Sequence, residues 1–110
     1  MKIFSVIISI FLLFSAMLNN IAIAAEVEVI IKKFKFIPAE ITINRGDKII
    51  WINKEKRQYH SVWFEQAGDP EADYFFPDES YSRTFATLGS LPYRCGPHPE
   101  MTGIVHVIDK

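Results

Sequence analysis

The segment KIIWIN, Lys48 to Asn53, is the most apolar of the short extended segments in this 110-residue chain. Ile49, Ile50, Trp51 and Ile52 are β-branched or aromatic, and such side chains favour strands. Both faces of this strand would be apolar, and a strand that is apolar on both faces belongs in the interior of a fold. We therefore predict that the segment is a central strand.

Short segments with alternating polar and apolar residues precede this strand. In Val27–Ile31 and Glu40–Asn44 every second side chain is apolar, which is the pattern of a strand with one buried face. Arg45-Gly46-Asp47 is typical of a turn. The alternation changes parity between Val27–Ile31 and Phe34, which predicts a bulge or bend near Lys32.

The remainder of the chain continues this succession of short strands and turns. Further strands are predicted at His60–Phe64, 81–87, 91–95 and 103–109, and the irregular segment 66–79 is compatible with a short helical turn. The total is about eight short strands. This pattern predicts an all-β fold with one core, an antiparallel Greek-key β-sandwich or barrel.

The first 25 residues have the layout of a secretory signal peptide. Lys2 gives a positive start, an apolar run follows from Ile3 to Phe14, and Ala22-Ile23-Ala24 resembles a cleavage site. An uncleaved membrane anchor is the alternative, but the apolar run is shorter than the ~20 residues of a full span. We expect 1–25 to be removed, 26–110 to form one periplasmic domain, and no stable membrane association after cleavage.

The charge of residues 26–110 is nearly balanced. The chain has 12 basic and 13 acidic side chains, and removal of Lys2 leaves 11 basic ones, so the net charge is about −2. No large basic excess is present, which argues against nucleic acid as a partner. Basic residues crowd 32–35 and 54–57, and acidic residues crowd 69–79. Solvated loops explain these clusters most simply, and a docking surface is the alternative.

One short segment combines three side chains that bind transition metals. Cys95, His98 and Met101 have the spacing C-x2-H-x2-M, and Cys95 is the only cysteine, so it has no disulfide partner in the chain. Taken singly, a buried Cys or Met is usually part of a core. Together, thiolate and thioether favour copper, and two His, one Cys and a weak axial Met are the ligands of a blue-copper electron-transfer site. Such a site needs a second histidine.

His60 and His106 are the two candidates for this second histidine. His106 lies within the last predicted strand, where an ordinary sheet-face histidine is the simpler interpretation. His60 follows a polar loop and begins a strand, so its side chain can reach a site at the end of a sandwich. We therefore favour His60.

These residues resemble those of the cupredoxins, the group of plastocyanin, pseudoazurin and amicyanin. The resemblance implies an eight-stranded Greek-key sandwich with one copper ion, bound by His60, Cys95, His98 and Met101. The short gap between the last two ligands is similar to that of amicyanin. The resemblance covers nearly all of residues 26–110 and runs through Phe36-x-Pro38, Ile41-x-Ile43-x-x-Gly46-Asp47, Trp51-x-Asn53, His60-x-Val62-x-Phe64, Tyr81-Ser82-x-Thr84-Phe85, Gly89, Tyr93-x-Cys95-x-Pro97-His98 and Met101-x-Gly103-x-Val105-x-Val107.

Two positions depart from the cupredoxin pattern. The family usually has Asn directly after the first histidine ligand, where its side chain ties the two ligand loops together, and this chain has Ser61. The residue after the cysteine is often a hydroxyl residue, and here it is Gly96. We predict a looser link between the two ligand loops and a shifted reduction potential.

The resemblance implies a monomeric carrier that passes single electrons between a redox donor and a redox acceptor, both docking transiently near His98, and that is not an enzyme. The basic loop 54–57 is predicted to attract an acidic partner. A periplasmic copper carrier or donor with the same ligands is the main alternative. A thiol enzyme built on Cys95 lacks an obvious Asp or Asn to orient its histidine and an oxyanion hole, and a metal-free interaction domain would not require Cys95.

Overall fold

The computed structural model describes residues 23–110, so the predicted signal peptide lies outside the described residues except for its last three positions. Seven strands form a four-stranded and a three-stranded sheet, and the all-β sandwich prediction is confirmed. The strands are β1 (Glu26–Lys32), β2 (Lys35–Ile37), β3 (Glu40–Asn44), β4 (Lys48–Asn53), β5 (Ser80–Thr84), β6 (Gly89–Arg94) and β7 (Thr102–Ile108).

Both sheets contain parallel and antiparallel pairs. The strand order is β2-β1-β4-β5 in the first sheet and β3-β7-β6 in the second. β1 runs parallel to β4 and β3 runs parallel to β7, whereas the other neighbours are antiparallel. The predicted antiparallel pairing is therefore wrong for these two strand pairs, while the sandwich itself is as predicted. The chain crosses between the sheets after β2, so β1 and β4 meet in the same direction.

The KIIWIN segment forms β4, which lies between β1 and β5 as predicted for a central strand. Its alternate residues Ile49, Trp51 and Asn53 are fully buried. The Trp51 indole N–H donates a hydrogen bond to the Tyr93 hydroxyl at 3.2 Å, which joins the two sheets across the core. The other core side chains are Val29, Ile31, Phe36, Ile43, Val62, Phe64, Phe75, Phe85, Cys95, Met101, Val105 and Val107.

Lys33 and Phe34 form a two-residue turn between β1 and β2. Their φ angles are +53° and +59°, and Lys32 pairs directly with Lys35. Positive φ at both central residues is the geometry of the type I′ turn, which suits the twist of a hairpin. Of the bulge or bend predicted near Lys32, the bulge is wrong, because the change of parity comes from a reversal of the chain directly after that residue.

The segment predicted as a strand at His60–Phe64 makes only isolated bridges. His60 pairs with Phe75, and Trp63 pairs with Arg94. A short 3-10 helix follows at Glu65–Ala67. The strand count is therefore seven in the described residues, and this irregular segment accounts for the difference from eight. No helix within 23–110 combines the length and apolar character needed to cross a membrane.

Candidate metal centre

Three of the four predicted ligands converge at one end of the sandwich. The Cys95 Sγ atom lies 3.5 Å from the Nδ1 atom of His60 and 3.4 Å from the Nδ1 atom of His98. The donor atoms of all three residues lie within 4.8 Å of one another. His60 and Cys95 are fully buried, whereas His98 is half-buried. The structure thus joins the segment after β4 to the loop after β6.

This arrangement fits a single transition-metal ion. With bonds of about 2.3 Å to sulfur and about 2.0 Å to nitrogen, a trigonal ion separates the two donor atoms by about 3.7 Å. The observed separations of 3.5 and 3.4 Å are close to this value. A thiolate with two imidazoles suits copper or zinc, and a thioether as the fourth donor selects copper.

The loop that carries the last two predicted ligands is closed by backbone hydrogen bonds. The Cys95 N–H donates to the Met101 carbonyl at 2.9 Å, and the Met101 N–H donates to the His98 carbonyl at 3.0 Å. The Met101 side chain is buried. These bonds fix the loop, and axial ligation by Met101 stays a prediction.

Glu55 orients the imidazole of His60. One Glu55 carboxylate oxygen lies 2.9 Å from His60 Nε2, so the opposite ring nitrogen, Nδ1, faces Cys95. The same carboxylate accepts the N–H groups of Lys33 at 2.6 Å and Phe34 at 3.2 Å. Burial raises the Glu55 pKa, but the hydrogen bonds from His60 and the two N–H groups outweigh it and hold that pKa below its ordinary value.

Asn53, at the end of the central strand, holds the loop that delivers Glu55 and His60. Its amide donates to the Gln58 carbonyl at 2.9 Å and to the Phe75 carbonyl at 3.1 Å. Its side-chain oxygen accepts the Glu55 N–H at 2.9 Å. A buried amide with all these partners is favourable, and it fixes the loop in front of His60.

Ser61 ties the two ligand segments together, and whether this link is looser than the usual Asn tie stays a prediction. Its hydroxyl accepts the Gly96 N–H at 2.8 Å, and its own N–H donates to the Cys95 sulfur at 3.3 Å. A Cβ atom on Gly96 would lie 2.8 Å from the Ser61 hydroxyl. The glycine therefore lets the backbone approach the short serine side chain.

The surroundings of Cys95 favour ligation over nucleophilic catalysis. Burial raises the pKa of the Cys95 thiol, and the hydrogen bonds from Ser61 and the charge of Arg94 oppose this only in part. A bound metal ion removes the proton outright. Glu55, rather than an Asp or Asn, orients His60. However, Cys95 is fully buried, and a reactive thiol needs access to its substrate.

Exposed aromatic rings surround His98. Phe34 packs edge-on against His98 at 4.9 Å and against His60 at 5.5 Å between ring centroids. Tyr59 lies 6.3 Å from His98 and stacks on Tyr74 at 5.2 Å. Burial and the charge of His60 lower the pKa of His98, while the Glu55 charge opposes them. The sequence did not predict that Phe34 and Glu55 contact the histidines of this centre. The one signal for Phe34 was an apolar side chain between basic residues, and Glu55 had none.

His106 is separate from this centre. It lies in β7 and contacts Ser90 and Glu40 across the neighbouring strands. The choice of His60 over His106 thus agrees with the geometry, since His60 belongs to the cluster of potential ligands and His106 does not.

Comparison with known proteins gives consistent matches. The family model "Copper binding proteins, plastocyanin/azurin family" matches residues 23–108. The chain is 36% identical over 88 residues to an amicyanin of Paracoccus versutus, covering 76% of this chain and 66% of that protein. It is 37% identical over 88 residues to amicyanin-alpha of Methylorubrum extorquens, covering 76% of this chain and 73% of that protein.

Solved structures show the same likeness. The crystal structure of amicyanin from Paracoccus versutus matches with a TM-score of 0.68 and 32% identity, over 82% of this chain and 87% of that one. A copper-containing nitrite reductase from Thermus scotoductus shares the fold alone, at 23% identity and a TM-score of 0.70, over 82% of this chain and 25% of that one. The chain belongs to the plastocyanin/azurin family of copper-binding proteins.

Proposed function

We propose that the protein is a type 1 (blue) copper electron-transfer protein whose single copper ion is held by His60, Cys95, His98 and Met101. The observation that carries the proposal is the convergence of a buried thiol and two imidazole Nδ1 atoms, with separations of 3.5 and 3.4 Å from the sulfur. The match with amicyanins and plastocyanins over most of the chain supports it.

Copper bound at this centre would supply the Cu(II)/Cu(I) couple. The contribution of the chain is to hold the donors still. Glu55 fixes the His60 ring, Ser61 fixes the Cys95 loop, and the backbone bonds of Met101 close that loop. Donors that are already positioned need little movement when one electron is gained or lost.

The partly exposed edge of His98 is the proposed point where electrons enter and leave. Phe34 and Tyr59 lie beside it, and an apolar rim excludes water when a partner docks. Basic side chains from two loops line a depression around Phe34. This basic surface consists of Lys32, Lys33, Lys54, Lys56 and Arg57.

The basic surface supports transient docking of an acidic redox partner. Among the described residues, only Lys54 of these five side chains is within ion-pair distance of a carboxylate, Asp78 at 3.9 Å. The other four have no carboxylate within ion-pair distance among the described residues, so they can pair with the carboxylates of a partner. Such charges mainly speed association and set orientation. The chain works as a monomer in this proposal.

Reversible redox cycling distinguishes an electron-transfer protein from a protein that carries or donates copper. The copper-loaded protein should give a one-electron voltammetric wave and keep its copper through repeated cycles in the presence of a moderate chelator. His98→Ala should abolish the wave, and His106→Ala is the matched control that should leave it unchanged. Loss of copper to the chelator in either oxidation state, with no reversible wave, would favour a carrier or donor.

We also propose that residues 1–25 are a signal peptide and that residues 26–110 function in the periplasm. The sequence layout of the first 25 residues supports this, and the family model covers the chain from residue 23 onward. The intact mass of the protein from a periplasmic extract tests it. We expect the mass of a chain that begins at Ala25 or Glu26. An uncleaved chain in the membrane fraction would contradict the proposal.

A further inference from the structure

Three polar side chains form a continuous chain on the outward face of the β3-β7-β6 sheet. The Ser90 Oγ atom lies 2.7 Å from His106 Nδ1, and His106 Nε2 lies 2.6 Å from a carboxylate oxygen of Glu40. The three residues come from three adjacent strands, and Ser90 and Thr42 flank His106 in register. They are distant in sequence and come together only through the fold.

The order of these contacts fixes the proton positions when His106 is neutral. The Glu40 carboxylate can only accept, so the His106 Nε2 atom carries the hydrogen and donates it. His106 Nδ1 then presents a lone pair, and the Ser90 hydroxyl donates to it. A hydroxyl hydrogen-bonded to a base, with the base oriented by a third group, is the arrangement that activates a serine nucleophile.

We propose that Ser90 is an acyl-accepting nucleophile for small activated esters, with His106 as its general base and Glu40 as the residue that orients the base. The Ser90 oxygen attacks the ester carbonyl carbon, and its proton passes to His106 Nδ1. The bond from that carbon to the leaving oxygen breaks, His106 gives its proton to that oxygen, and the alcohol or phenol departs. Water then attacks the acyl-serine carbonyl and passes a proton to His106, which returns it to the Ser90 oxygen as the acid leaves.

Access to this site contrasts with that of the buried Cys95. Ser90 and Glu40 are exposed, and the His106 side chain is 28% exposed. An open cleft of about 470 Å³ borders Glu40, although neither Ser90 nor His106 lines it. Its lining is mixed, with Pro92 and Ile104 beside the charged Glu65 and Arg94, so it could hold only the far end of an ester bound at Ser90.

The edge position of β6 adds a source of hydrogen-bond donors. Within residues 23–110, β6 pairs with β7 on one side only, and the single bridge to Trp63 lies at Arg94, away from Ser90. Outward-facing backbone N–H groups of an edge strand are unpaired. Such groups can stabilise the negative charge that develops on a carbonyl oxygen. The proposal does not depend on the copper function.

The alternative explanation is that the hydrogen bonds among Ser90, His106 and Glu40 only stabilise the sheet. Cross-strand hydrogen bonds between exposed side chains support a sheet and need no reactivity. Under that explanation Ser90 would react with an acylating reagent no faster than any other exposed strand serine. Ser82, in β5, is such a serine and has no side-chain hydrogen bond in the described part of the chain.

Acetylation by p-nitrophenyl acetate distinguishes the two explanations. The copper-loaded protein is treated with this ester, p-nitrophenolate release is followed, and acetylated peptides are quantified by mass spectrometry. We expect Ser90 to be acetylated at least tenfold faster than Ser82 in the same molecule, so the wild-type chain provides its own control. Equal rates at the two serines would overturn the proposal.

Variants then assign the roles. His106→Gln should reduce Ser90 acetylation to the Ser82 rate, Glu40→Gln should reduce it severalfold, and Ser90→Ala should remove it. The visible copper spectrum reports whether each variant is folded, because none of the three residues contacts the metal centre. Unchanged Ser90 acetylation in folded His106→Gln would also overturn the proposal.

Discussion

Glu55 links the β1–β2 turn to the proposed copper ligand His60. It accepts hydrogen bonds from the imidazole and from two backbone N–H groups of a turn whose residues have positive φ. Neither Lys33 nor Phe34 favours that conformation, since only Gly and, less often, Asn or Asp adopt it readily. The carboxylate therefore stabilises a turn that the local sequence does not favour.

Replacement of Glu55 should weaken both the β1–β2 turn and the proposed copper site. Glu55→Gln keeps the size of the side chain but removes the charge, so the three hydrogen bonds become weaker. We expect a loss of about 1–3 kcal/mol in the free energy of unfolding and a decrease of about 10- to 100-fold in copper affinity. Denaturant unfolding and competition with a copper chelator measure these effects. Glu28→Gln, in the exposed face of β1, should change neither.

Ser61 should determine how firmly the Cys95 loop is held. Ser61→Ala removes the acceptor for the Gly96 N–H, which leaves that partly buried group unpaired and costs about 1–3 kcal/mol. We expect a lower melting temperature and a shifted reduction potential, measured by calorimetry and voltammetry. Ser82→Ala, which changes an exposed strand serine, is the control. An unaltered potential in Ser61→Ala would show that this tie does not tune the metal.

The sequence predicted the ligands of this centre that lie close together in the chain, but not the side chains that hold or cover them. Cys95 and His98 are three residues apart, so their spacing is visible without a structure, and soft donors in one loop indicate copper. Glu55 and Phe34 meet the centre only because the β1–β2 turn folds over the loop after β4. Nothing in a single sequence reports that contact, and neither residue type is a ligand.

At the level of the strands, Tyr93 in β6 connects the two sheets through its hydrogen bond with Trp51 in β4. Gly103 in β7 pairs with Tyr93 in β6. A Cβ atom at position 103 would come within 2.4 Å of the ring and the hydroxyl. The close approach of β7 to this ring therefore requires glycine.

Gly103→Ala should destabilise the sandwich by displacing Tyr93. Overpacking of this kind costs about 1–3 kcal/mol, which denaturant unfolding can measure. The matched test is the same change in a Tyr93→Leu background, where the smaller side chain leaves room for the new methyl group. We expect the two effects to be non-additive. Additive effects would mean that the ring is not the obstacle.

Tyr93 should also make stability fall at high pH. Burial raises the pKa of Tyr93 to about 12, with the hydrogen bond from Trp51 opposing it. Between the unfolded value of about 10 and the folded value, only the folded state keeps the proton, so stability present below pH 10 is lost as the pH rises. The slope is about 1.4 kcal/mol per pH unit. In Tyr93→Phe this contribution should be absent, as unfolding measurements at pH 9 to 12 would show.

The strand segments were predictable, but their pairing was not. Alternation of apolar residues reports which face of a strand is buried, and β1, β3 and β7 were located in this way. Alternation contains no information about which strand lies alongside, so the parallel β1–β4 and β3–β7 pairs were missed. The parity change near Lys33 and Phe34 predicts a bulge or bend, and the hairpin turn itself is not visible in the sequence because neither residue is typical of a type I′ turn.

Across the whole molecule, charge is distributed unevenly around the proposed copper end. The sequence shows basic residues at 32–35 and 54–57, and the fold places both groups around Phe34. The clustering was visible in the sequence, but its position beside His98 depends on the β1–β2 turn. A surface of this kind increases association rates at low ionic strength.

Removal of charge from this surface should slow association with an acidic redox partner. For Lys33→Gln/Lys56→Gln we expect a several-fold lower second-order rate of electron transfer at low salt and a weaker dependence on ionic strength. Stopped-flow mixing with a negatively charged one-electron reagent measures both. Lys48→Gln/Lys110→Gln removes the same charge elsewhere and should have little effect. A rate independent of ionic strength in the wild-type protein would contradict docking by charge.

The visible absorption spectrum of the copper-loaded protein tests the central claim most directly. Electron transfer through a Cys–copper bond requires an intense visible charge-transfer band in the oxidised form, which disappears on reduction by one electron. In Cys95→Ser the band should be lost, while His106→Gln should retain it because that residue lies outside the centre. A copper-loaded wild-type protein without this band, or a band that persists in Cys95→Ser, would contradict the assignment of a blue copper centre at Cys95.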